Sequence, residues 1–110
     1  MGISDPISNQ NSLDIKMLQQ AAEILKTVGH PVRLRIIEVL ESGELTVKDI
    51  QERIGQPQAI TSQQLSLMKG RGLLRSRRNG TSVYYTLAND LVVHVIECIR
   101  RCQLERAQAR

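Results

Sequence analysis

The residues best equipped for chemistry lie near the end of the chain, where His94, Cys98 and Cys102 recur at steps of four. Such steps put side chains on one face of a helix. An imidazole and two thiolates suit a soft metal or metalloid ion such as As(III), Cu(I), Cd(II) or Zn(II), and exposed thiols also suit oxidant sensing. A second reading stands beside this one. Cys98 and Cys102 continue the row Leu91, Val95, and a cysteine without a ligand packs as a small hydrophobe. Were this row to meet its copy in a second chain, a two-fold axis would gather four thiols. Whether an ion is held there at all stays open. His30, ahead of Pro31, suits a loop or capping role. Only two histidines occur in the chain, and neither accompanies a nucleophile. Lys69-Gly70-Arg71-Gly72 is too short and wrongly ordered for a phosphate-binding loop. Covalent catalysis is therefore not expected.

A polar and basic constellation lies earlier. The 110-residue chain carries a net charge of +4. No Asp or Glu occurs between Glu52 and Asp90, and that interval holds Arg53, Lys69, Arg71, Arg75, Arg77 and Arg78. It carries +6, so the remainder carries −2. Positive charge concentrated in one third of a chain is the electrostatic footprint expected for a nucleic-acid partner. Inside it, Gln58, Ala59, Thr61, Ser62 and Gln63 are small or amide-bearing. Glutamine can pair with both N6 and N7 of adenine, and Ser and Thr can serve several bases or phosphates. Arg75, Arg77 and Arg78 lead into Asn79-Gly80-Thr81, and with no acid in the interval to neutralise them they suit phosphates or a narrow minor groove. Charge on a strand edge also guards against unwanted pairing, and both uses are compatible.

These residues need elements to present them. Residues 1–11 read as a flexible N-terminal tail and residues 12–108 as one domain. Apolar residues at helical spacing predict a first helix over 13–28, with a stripe wide for a terminal helix. A second helix is predicted over 31–42, with Pro31 in its first turn. A short third follows over 47–54, with Thr46 as its cap and Gly55 as its stop. The fourth is expected over about 57–71, with Ile60, Leu65 and Met68 inward. Strands over 73–78 and 81–87 flank Asn79-Gly80, a two-residue hairpin signal. In the second strand Val83, Tyr85 and Leu87 should be buried, with Ser82, Tyr84 and Thr86 exposed. A fifth helix is expected over 89–108. Two short helices joined by a tight turn, then a basic hairpin, describe a winged helix-turn-helix: a mainly α fold of five helices with a small β-hairpin wing.

Aromatics make up 2% of the chain and hydrophobic residues 41%, so the core must be aliphatic. Two cysteines make no disulfide framework, and no apolar run nears the ~20 residues that span a bilayer. With no secretory signal in the polar N-terminus, a cytoplasmic protein without membrane contact is expected.

Three stretches together resemble the ArsR/SmtB family of bacterial winged-helix repressors. They are LKTVGHPVRLRIIEVL (25–40), IGQPQAITSQQLSLMKGRGLL (54–74) and RSRRNGTSVYYTL (75–87). Ser62-Gln63-Gln64-Leu65 stands where many members have Ser-His-His-Leu. The resemblance implies a homodimer assembled through the first and fifth helices, here through Leu13, Met17, Ala21, Leu91, Val95, Cys98 and Cys102. It also implies binding to an inverted-repeat operator in double-stranded DNA, and repression relieved by an inducer. The chain departs from the family's known sensor patterns. Thr46-Val47-Lys48 replaces the Cys-x-Cys of arsenic sensors. Val92, Gln103 and Arg106 occupy positions where zinc sensors carry ligands, and the second helix has no cysteine. A thiol site at Cys98 and Cys102, a regulator without an inducer, and a winged helix that binds only protein all remain open at this point.

Overall fold

The computed structural model describes residues 11–109. The expected tail lies outside the described residues apart from Asn11. Helix α1 (Ile15–Val28) starts two residues later than its hydrophobic stripe suggests. Asp14 caps it, accepting from the Lys16 amide at 3.2 Å. Helix α2 (Pro31–Leu40) has proline in its first turn and His30 as its cap. The imidazole Nδ1 of His30 accepts from the Val32 amide at 3.1 Å, the capping role anticipated from its place before Pro31.

Helix α3 (Val47–Ile54) has the span its punctuation predicts. Thr46 Oγ1 accepts from the Asp49 amide at 3.1 Å, satisfying a first-turn donor that would otherwise lack a partner. At the other end Gly55 takes φ +69°, a left-handed conformation that favours glycine. Three residues later α4 (Gln58–Gly70) begins. Helix α5 (Asp90–Gln108), capped by Asn89 Oδ1 on the Leu91 amide at 2.8 Å, completes the helical set.

The sheet is antiparallel, in the order β1 (Leu45–Thr46), β3 (Ser82–Leu87), β2 (Leu74–Asn79). Its hairpin turns one residue later than expected. Asn79 pairs with Ser82, so Gly80-Thr81 forms the loop. Only Gly80 takes positive φ there, at +67°. Glycine at the first central position is what a type II′ hairpin turn requires. The expected alternation of buried and exposed residues along β3 is also corrected, since all six of its residues are half-buried. β3 is the middle strand, with β1 and β2 along its edges and α2, α3 and α5 packed near it.

The core is aliphatic. Ile36, Ile37, Ile50, Leu65, Met68, Leu73 and Val92 are wholly buried, with Val28, Leu40, Leu45, Leu74 and Ile96 close behind. Each such side chain contributes about 1.5–3 kcal/mol on leaving water. Arg33 stitches three helices together: its guanidinium donates to the Thr27 carbonyl at 2.9 Å and to Gln64 Oε1 at 2.7 Å.

Candidate nucleic-acid interface

Helix α4 is two-sided, and which side faces out decides what it can touch. Thr61, Leu65 and Met68 are the buried positions, spaced as one helical face. This corrects two expectations. Ile60 was expected inward and is 39% exposed. Thr61 was expected to meet DNA and is 0% exposed, its hydroxyl donating to the Pro57 carbonyl at 3.0 Å. That bond back to the preceding turn satisfies the hydroxyl, which lets threonine sit in an apolar core. On the opposite side Gln58, Ala59 and Gln63 are exposed and Ser62 is half-buried. No side chain caps the α4 N-terminus and no acid lies in its first turn, so amide donors there are open to an anion.

On the hairpin Arg75, Arg78, Asn79, Gly80 and Thr81 are exposed. Among the described residues Arg75 and Arg78 make no ion pair. Arg77 differs, and the expectation that no acid neutralises the cluster is corrected there. Its Nε and Nη2 donate to the two carboxylate oxygens of Glu44, at 2.6 and 2.7 Å. The guanidinium also lies 4.8 Å from the centre of the Tyr84 ring. The hydrogen bonds hold the Glu44 carboxyl below its ordinary range and push the Arg77 guanidinium higher still. Sequence reasoning missed Glu44 because it lies 33 positions from its partner. No local spacing rule connects them.

The thiols do not converge on a metal site within one chain. Cys98 and Cys102 are free and exposed. His94 lies 3.4 Å from Glu97 instead, with its side chain 74% exposed. Among the described residues no three metal-ligating groups come together. From Glu97 to Ala109 every residue of α5 and its cap is exposed, including Ile99 and Leu104. Arg100 ties this half of the helix back to α2, pairing with Glu41 at 2.6 Å. On α1, Leu13 is 66% and Met17 57% exposed; Ala21, Leu91 and Val95 are half-buried. A cleft of about 240 Å³ between α2 and α5 is lined by Leu34, Ile96 and Ile99 among others. The two arginines on it, Arg35 and Arg100, are already paired with Glu38 and Glu41.

Comparison with known proteins converges on one group. The pattern of the family described as "Bacterial regulatory protein, arsR family" matches residues 30–76, from the cap of α2 into β2. The transcriptional repressor PagR of Bacillus anthracis is 34% identical over 94 residues, covering 84% of this chain and 94% of that protein. A homodimeric winged helix-turn-helix DNA-binding domain from Mycobacterium bovis superposes with a TM-score of 0.73 at 28% identity, covering 93% of this chain and 96% of that one. The transcriptional repressor BigR from Xylella fastidiosa superposes with a TM-score of 0.72 at 30% identity, covering 83% and 96%. Among the described residues no helix is long and apolar enough to cross a membrane. Fold, α3–α4 pair, basic hairpin and sequence agree: the chain belongs to the ArsR family of bacterial regulatory proteins and is a winged helix-turn-helix transcription regulator.

Proposed function

We propose that this protein is a cytosolic repressor that binds an inverted-repeat DNA operator as a homodimer, acting by occupancy rather than by turnover. The observation that carries the reading is the division of α4, whose Gln58, Ala59 and Gln63 stand in solvent while Thr61, Leu65 and Met68 anchor the opposite side. A helix held this way can enter a major groove with its amides toward base edges. Arg75 and Arg78 supply charge for phosphates. The repressors PagR and BigR share this architecture. A second copy would cover the exposed apolar residues of α1 and the distal half of α5, and a similar winged helix-turn-helix domain is homodimeric.

Gel shifts at two salt concentrations separate the roles. Arg78→Ala should weaken every duplex alike and reduce the log–log salt slope by about 0.9, the value of one phosphate contact. Gln63→Ala should change sequence preference and leave the slope alone. An Arg78→Ala protein with an unaltered slope overturns the wing assignment.

A second reading concerns release. Cys98 and Cys102 lie one helical turn apart, free and exposed in the single chain. Such a pair from each of two subunits suits a thiophilic ion or an oxidant. The Cys98→Ser/Cys102→Ser protein should bind operator normally yet ignore As(III), Cd(II) and persulfide. Release that persists in that variant rejects thiol sensing, and an operator complex of the unmodified protein that none of these disturbs points to a regulator without such an inducer.

A further inference from the structure

The ion pair between Arg77 and Glu44 runs across the whole sheet. Arg77 on β2 is the register partner of Tyr84 on β3, and Tyr84 is the register partner of Thr46 on β1. Glu44 precedes Thr46 by two residues, just ahead of β1, so it lies on the same side of the chain, offset along it from the row. The guanidinium lies over the middle strand's ring at 4.8 Å and forks onto the carboxylate beyond it. A planar two-point grip fixes orientation as well as distance. Thr46, in that row, is the cap of α3, the first helix of the DNA-reading pair. The base of the wing is thereby tied to the start of the helix-turn-helix.

Resting on the DNA-binding reading above, we propose that Glu44 is a specificity-determining positioning residue. It orients the wing against α3 through Arg77, and it withholds that one positive charge from phosphates. Three arginines on the hairpin would otherwise bind any duplex by charge alone. The carboxylate leaves Arg75 and Arg78 as the wing's free cations and lowers attachment to random DNA. Its effect on operator binding comes from geometry, because the wing and α4 must meet the duplex in one fixed relation. Both halves of the assignment have separate signatures, one in salt dependence and one in the ratio of operator to random affinity.

The test uses the full chain, an operator selected with it from a random duplex library, and a random-sequence duplex. Glu44→Gln keeps the shape of an exposed side chain and frees the Arg77 charge. It should bind the random duplex about five-fold more tightly at 0.15 M salt and steepen the salt slope by about 0.9. The operator-to-random ratio should fall. Glu44→Gln/Arg77→Gln restores the original net charge. Its random-duplex slope should return to the starting value while its operator affinity falls about ten-fold below that of the unmodified protein. Thermal melts of both variants establish that they fold. An E44Q protein with unchanged slope and ratio overturns the charge-withholding role, and a double variant with full operator affinity overturns the positioning role. An unmodified chain that binds neither duplex defeats the DNA-binding reading itself, a separate outcome from either.

Discussion

Residue identity misleads where one side chain has two characters. Thr61 was expected to face DNA because its hydroxyl is polar. The hydroxyl is satisfied within its own helix, and the methyl group is left for the core. Thr61→Val keeps the branched shape and replaces the hydroxyl with a methyl group, so a melt should shift stability by no more than about 1 kcal/mol in either direction. Sequence preference on DNA should stay as it was. A changed base preference in that variant would mean that position 61 reaches the duplex after all. Gln58 and Gln63 are exposed, as their types suggest, and among the described residues neither side chain has a comparable internal partner. Gln64 was not legible, since its carbonyl is taken by Arg33, 31 positions away. Arg77 and Glu44 fail the same way. Pairings between distant parts of the chain leave no periodic trace, whereas charge clustering along the chain does.

Elements were legible where their ends carry explicit chemistry. Thr46 and Gly55 delimit α3 to the residue, and Pro31 with His30 does the same for the start of α2. Other ends drifted by a residue or two: the apolar stripe of α1 begins ahead of its Asp14 cap, and α2 stops at Leu40, short of residue 42. The strand alternation expected of β3 failed because the two-residue β1 adds a neighbour that converts an outer strand into a middle one. The sequence suggests a short strand at Glu44-Leu45, one residue ahead of the observed Leu45–Thr46, but nothing local says which strand it joins. The Gly55 turn gives a sharp test. An added Cβ there meets nothing within 4 Å, so any penalty comes from backbone conformation alone. Gly55→Ala should lower stability by about 1 kcal/mol or more. Gly55→Asn should recover part of that, because asparagine tolerates the left-handed region. Equal melting temperatures for the two variants would contradict this account of how α3 is stopped.

For the molecule as a whole, the decisive feature is the outer half of α5. Residues 97–108 would extend about 18 Å as a helix, and every one of them is exposed in the single chain. The ion pairs from Arg100 to α2 secure only its beginning. A segment of that length is marginal as a helix by itself in water. If the second copy proposed above covers it, that copy would help to hold it helical, which would make this part of the backbone a gauge of protein concentration. Progressive dilution should lower the far-ultraviolet ellipticity by roughly the helical content of one such segment, before any change at Tyr84 and Tyr85 reports loss of the core. Ellipticity that holds constant down to nanomolar chain would mean the segment stands unaided. If the ellipticity does fall, scarce protein would be ill-formed at its far end as well as unpaired, so a cell making little of it would lose DNA occupancy more steeply than the amount of chain alone implies.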